Sequence, residues 1–219
     1  MTRWAMAVDL RRCVGCQTCT ASCKHANATP PGVQWRRVLD IEVGEYPDVQ
    51  RAFVPVGCNH CEEPPCLPVC PTGATYKRPD GIVGIDYDAC IGCAYCAVAC
   101  PYQARYKTDL LSFAYGGKAM PNEAARGDDR EQRRAVATKC TFCVDRIDAG
   151  LAAGQTPGVH PEATPACVNS CNDDALAFGD VEDPQSNVSH LLAHNQHFRM
   201  HEELGTGPGI FYLWDRKTP

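Results

Sequence analysis

The sequence predicts an α+β fold made of two small lobes, and three observations lead there. Cysteine makes up 16 of the 219 residues. Those cysteines fall into four quartets, a repeat to be read before any local pattern. Between the quartets lie short apolar runs broken by Pro and Gly, so each lobe must be held by what its cysteines bind more than by an apolar core.

In chain order the first quartet is Cys13, Cys16, Cys19 and Cys23, spaced C-x2-C-x2-C-x3-C and followed by Lys24. Residues 38–43 and 52–56 are apolar-rich runs around a Gly44/Pro47 turn and read as a hairpin. The second quartet is Cys58, Cys61, Cys66 and Cys70, spaced C-x2-C-x4-C-x3-C and followed by Pro71. Residues 74–76 and 82–85 then flank Pro79-Asp80-Gly81, whose composition suits a turn between two short strands. Cys90, Cys93, Cys96 and Cys100 repeat the first spacing and end in Pro101. Residues 121–134, PNEAARGDDREQRR, are charged and nearly free of large apolar groups, which predicts a solvated loop. The fourth quartet, Cys140, Cys143, Cys167 and Cys171, carries residues 144–166 as an insertion. Short helices are expected after the last cysteines, with residues 97–99 and 166–169 packing small side chains there. Ser186 or Asn187 is placed to cap a helix running to about Leu204. On that helix His190, His194, His197 and His201 share one face, and the expected role is a polar, solvated or partner-facing stripe.

Several classes of function are excluded. The N-terminal MTRWAMAVDLRRC has no apolar h-region, and Arg11-Arg12 runs into CVGCQTC, not into the apolar segment of a twin-arginine signal. Without an export signal, a disulfide framework is not expected. The longest apolar runs, 96–101 and 210–214, fall far short of the roughly 18–20 residues of a membrane helix. A formal net charge of −5 argues against nucleic acid as a partner. No CxxCH, GxGxxG or P-loop motif competes, so no substrate chemistry is expected on this chain.

The spacings themselves select iron–sulfur chemistry. A structural zinc site uses two cysteine pairs and has no need of three cysteines two residues apart. A cubane does, because one loop then wraps three corners while its N–H groups turn toward anionic sulfur. Zinc remains an alternative for the fourth quartet alone, whose split spacing would suit a zinc ribbon. The fourth cysteine of such a run ligates the other cluster of a pair. Quartets two and three, close in sequence, therefore predict one ferredoxin-like lobe over residues 58–105. Quartets one and four predict a second from residues 1–57 plus 106–219. Each lobe would hold two [4Fe–4S] clusters.

The order of the quartets, with x4 in the second and a long insertion in the fourth, resembles the four-cluster electron-transfer subunit of the complex iron–sulfur molybdoenzymes. The resemblance is carried by VDLRRCVGCQTCTASCK, CNHCEEPPCLPVCPTGATY, DGIVGIDYDACIGCAYCAVACPYQARY, KCTFCVDRIDAG, PACVNSC and the tail LGTGPGIFYLW. It implies four ligand sets: Cys13, Cys16, Cys19 and Cys171 nearest the catalytic subunit; then Cys140, Cys143, Cys167 and Cys23; then Cys58, Cys61, Cys66 and Cys100. Cys90, Cys93, Cys96 and Cys70 would hold the cluster nearest the membrane or quinone side. Because Cys93 is present, all four should be [4Fe–4S]. The resemblance also implies a molybdopterin-containing catalytic subunit and a quinone-reactive membrane anchor as partners. Location would be at the membrane through a partner, with the cytoplasmic side favoured and periplasmic co-export as the alternative. A polyferredoxin or hydrogenase-linked ferredoxin subunit is the rival function.

Overall fold

The computed structural model describes residues 1–109, 112–115 and 117–216. Its elements in chain order are β1 (Trp4–Asp9), α1 (Thr18–Asn27), β2 (Arg36–Glu45), β3 (Asp48–Gly57), β4 (Thr75–Lys77) and β5 (Val83–Ile85). They continue with α2 (Tyr95–Val98), β6 (Tyr106–Lys107), α3 (Pro121–Ala125), α4 (Gly127–Gln132), β7 (Ala137–Thr138) and α5 (Val144–Ala152). The last are α6 (Ala166–Asn169), β8 (Leu176–Asp180), α7 (Asn187–His194), β9 (Asn195–Phe198) and β10 (Ile210–Arg216). This is a mixed fold of short helices and short strands.

A four-stranded sheet of order β8-β1-β10-β9 joins the two ends of the chain. β1 runs parallel to β10 and antiparallel to β8. All six residues of β1 are buried, because alternate side chains face two different layers. Trp4, Met6 and Val8 enter the main core with Phe178, Ile210 and Tyr212. Ala5 and Ala7 face the other way, where Val188 of α7 packs with Phe211 and Leu213. Each large side chain buried this way stabilises by about 1.5–3 kcal/mol. No sequence pattern predicts this sheet, since WAMAVD has no apolar–polar alternation when both faces are covered.

Two local expectations hold. β2 and β3 pair antiparallel from Arg36 opposite Gly57 to Glu45 opposite Asp48. β4 and β5 pair from Thr75 opposite Ile85 to Lys77 opposite Val83.

Three others need correction. Helices contain cysteines instead of following the last of each quartet: α1 holds Cys19 and Cys23, α2 holds Cys96, and α6, over the expected residues 166–169, holds Cys167. Left-handed residues Gln17 and Ala94 turn the chain into α1 and α2 one residue after the second cysteine. The C-terminal helix ends at His194 instead of continuing to Leu204, because Asn195 becomes extended and β9 joins the edge of the sheet. The histidine stripe is thereby dismantled. His197 lies on β9 with its ring edge-on to Phe211 at 5.7 Å, and His201 is left-handed and bonded to Glu203 at 3.1 Å. Finally, the 121–134 stretch forms α3 and α4 around a Glu123–Arg130 ion pair at 3.2 Å, both side chains 4% exposed. Arg130 also donates to the Ala28 and Ser112 carbonyls. A guanidinium with five donors can therefore organise a stretch that has no apolar core.

Candidate metal centres

The first C-x2-C pair of each quartet repeats one local device. Its second intervening residue is left-handed: Gly15 at φ 72°, His60 at 43°, Gly92 at 67° and Phe142 at 56°. The turn aims both flanking thiols to one side and turns N–H groups inward, as in an anion-binding nest. Glycine adopts this conformation without penalty. At position 92 it is also required by space, since a Cβ there would lie 1.9 Å from the Ala135 carbonyl oxygen. His60 and Phe142 bear a strain of roughly 1–2 kcal/mol each, offset by burial and by stacking on each other at 3.8 Å. Backbone N–H groups also reach sulfur directly. Those of Thr75, Phe142 and Ala175 donate to Sγ of Cys70, Cys140 and Cys171 at 3.4, 3.4 and 3.2 Å.

Three cavities, partly open to solvent, each have four cysteines in their lining. Cys13, Cys16, Cys19 and Cys171 line one of about 320 Å³, its open mouth included. Cys58, Cys61, Cys66 and Cys100 line a second of about 320 Å³, and Cys70, Cys90, Cys93 and Cys96 a third of about 310 Å³. The remaining four converge in the interior: burial first, and then the nearness of Cys140, Cys167 and Cys143, push the Cys23 thiol well above its ordinary pKa. The four groups form a line. Cys19 of the first feels Cys167 of the second, and Cys140 of the second feels Cys58 of the third. Cys66 and Cys96 share one small core between the third and fourth.

All sixteen cysteines are free thiols. Burial is the main cause that raises Cys19 to about 11 and Cys61 and Cys140 to about 12. Thiolates, the form that binds metal, therefore need a strong local positive charge, which bound iron would supply. Cys70 is instead lowered, to about 7; burial works upward there, but bonds from Thr75 and Thr72 outweigh it.

Among the described residues no three Cys, His, Asp or Glu side chains converge on a point suited to one metal ion. The fourth quartet does not gather around one point as a zinc ribbon would: Cys171 lines the cavity of Cys13, Cys16 and Cys19, while Cys140, Cys143 and Cys167 lie with Cys23. A larger, anionic group fits. Arg36 is 1% exposed and its Nε and Nη1 have no hydrogen-bond partner, yet Cys167, Cys140 and Cys19 lift its pKa against the effect of burial. Sulfides of clusters held at the two groups to which those thiols belong would be acceptors for these orphaned donors.

Sequence reading missed the charged groups among the cysteines. Arg105 donates to Cys66 Sγ at 2.9 Å and to Thr75 Oγ1 at 3.1 Å. The Lys139 ammonium is buried on the carbonyls of Val83 and Cys140. His60 accepts the Val83 N–H at Nδ1, which leaves Nε2 buried without a partner. Only Lys139, next to Cys140, had any signal in its position.

Comparison with known proteins adds independent findings. Residues 49–116 match a family model described as a 4Fe-4S dicluster domain. The chain is 42% identical to a selenate reductase subunit of Mesobacillus selenatarsenatis, over 96% of this chain and 72% of that protein. It is 39% identical to the putative dimethyl sulfoxide reductase iron–sulfur subunit of Halobacterium salinarum, over 100% of this chain and 82% of the relative. A tetrathionate reductase subunit of Salmonella typhimurium is 40% identical, over 96% of this chain and 72% of its own length.

Proposed function

This chain belongs to the iron–sulfur electron-transfer subunits of the complex iron–sulfur molybdoenzymes, and from that premise we propose that it relays electrons through four [4Fe–4S] clusters. The observation that supports the count is the set of three cavities, each lined by four cysteines, with a fourth convergence of four cysteines among them. The proposed ligand sets are Cys13, Cys16, Cys19 and Cys171; Cys23, Cys140, Cys143 and Cys167; Cys58, Cys61, Cys66 and Cys100; and Cys70, Cys90, Cys93 and Cys96. On this reading the last two sets make one ferredoxin-like lobe and the first two the other.

The two ends of the line are the points of electron exchange. At one end Cys16 is exposed and Val14 is 59% exposed. At the other Cys93 is exposed beside Ile91, Tyr95 and Val98, which is 87% exposed. An apolar rim around a near-surface cluster site suits a protein partner that excludes water there. The first end is assigned to a molybdopterin-containing catalytic subunit, and the second to a quinone-linked membrane protein. No helix among the described residues is long and apolar enough to cross a membrane, so attachment is assigned to that partner. The relatives are named for selenate, dimethyl sulfoxide and tetrathionate; none of these would meet an electron relay, and the substrate belongs to the catalytic partner.

The test is iron and acid-labile sulfide analysis of the complex purified without oxygen. About 16 iron atoms on this subunit are expected. Stoichiometric zinc, or a [3Fe–4S] signal as a major native species of this chain, would overturn the assignment.

A further inference from the structure

Three cations lie deep among the cysteines: Arg36 and Lys139 are 1% exposed and Arg105 is 7% exposed. Among the described residues no carboxylate forms an ion pair with any of them. Arg36 donates to Met6 Sδ at 2.9 Å and Arg105 to Thr75 Oγ1 and Cys66 Sγ. Lys139 donates to two backbone carbonyls, that of Cys140 at 2.8 Å. A buried charge with no counter-charge is strongly unfavourable, so the balancing negative charge must come from the cysteine groups.

Their placement is regular. Arg36 acts on Cys19 of the first group and on Cys140 and Cys167 of the second. Lys139 adjoins Cys140 of the second group and acts on Cys66 of the third. Arg105 acts on Cys66 and Cys58 of the third and on Cys96 of the fourth. At the centre, the buried His60 ring feels all three positive charges.

We propose that Arg36, Lys139 and Arg105 form a ladder of fixed positive charge, one rung between each successive pair of cluster sites, which raises the electron affinity of both neighbours. The inference rests on the four-cluster reading above. Each hop oxidises one site by one electron and reduces the next by one, with no bond or proton changed. An added electron therefore arrives as uncompensated negative charge in a poorly polarisable interior, where it repels charge on the adjacent site. A cation placed between the two attracts both, and it does so through charge and hydrogen bonds to sulfur, which are among the determinants of cluster potential. These three are positioning residues; none is proposed to carry the electron.

The experiment is a redox titration of the assembled complex followed by electron paramagnetic resonance, with iron content measured on every variant. Arg105→Gln should shift the reduction equilibrium of the third and fourth clusters at least tenfold toward the oxidised form, about 59 mV for one electron. The first and second should stay in place, and Arg105→Lys should restore most of the shift. Should Arg105→Gln lose iron, Lys139→Met supplies the same test: it must lower the second and third clusters and spare the first and fourth. Equal shifts in the Gln and Lys variants, a shift spread over all four clusters, or no shift would overturn the ladder. Fewer than four clusters in the parent would overturn the reading beneath it, whereas four clusters with unmoved potentials would overturn the ladder alone.

Discussion

Cys23 and Cys171 show how little a cysteine's sequence neighbours say about its partners in space. Cys23 lies four residues from Cys19 yet converges with Cys140, Cys143 and Cys167, while Cys171 lines the cavity of Cys13, Cys16 and Cys19. Changing Cys23 to Ser should therefore perturb the second cluster and spare the first, and changing Cys171 to Ser should do the reverse. Resonance spectra of the two variants would decide it, and damage confined to the first cluster in the Cys23 variant would show the pairing to be wrong. The thiols were legible because a cubane imposes close, regular spacing on its ligands. Arg36 and Arg105 were not, since they are two of 21 Lys and Arg residues and nothing local marks them as buried. The left-handed positions were legible only in part. Gly15 and Gly92 announce themselves, whereas His60 and Phe142 are held in that conformation by their mutual stacking.

At the scale of elements, α3 and α4 depend on one carboxylate. Burial works to raise the pKa of Glu123, but the N–H groups of Met120 and Ala114 and the charges of Arg130 and Lys24 hold it below the usual range. A depressed folded pKa contributes stability that is present above the unfolded value, about 4.3, and lost as the pH falls through the folded one. Protection against hydrogen exchange in residues 121–134, taken relative to the intrinsic rate at each pH, should therefore be constant above about pH 5 and fall below about pH 4. Glu123→Gln should remove that dependence and lower local protection by about 1–3 kcal/mol at neutral pH, because Arg130 would stay buried without its counter-charge. An unchanged exchange profile in the variant would show that the pair does not hold these helices. Charge-rich composition rightly pointed to solvent for most of this stretch, but it hid the two helices, because buried Glu123 and Arg130 satisfy each other and nearby backbone from inside. The ribbon of β2 and β3 was readable for the opposite reason: its turn chemistry and apolar runs are local and agree with each other.

The molecule as a whole has two kinds of core, and they should respond differently when iron is removed. The sheet of β1, β8, β9 and β10 packs on α7 with ordinary apolar side chains such as Val188, Phe211 and Leu213. The smaller core around the third and fourth cysteine groups consists of Cys66, Val83, Cys96 and Ala137, half of it metal ligands on this reading. Stripping iron with a chelator under oxidising conditions should expose residues 58–105 to protease first, because binding and folding are coupled there. The sheet should be cut last, as read by mass spectrometry of the fragments; simultaneous cleavage of both would contradict this. By itself the sequence determined the chemistry, since thiol identity and spacing are set by covalent distance along a short stretch of chain. It also determined the local turns, for which a few residues suffice. Only the tertiary structure decided that Met6 pairs with Ile210, that Arg36 sits between two cysteine groups and that the C-terminal helix yields to an edge strand. Those outcomes depend on which surfaces cover one another across almost the full length of the chain, and packing energy of that kind leaves no periodic trace in any one segment.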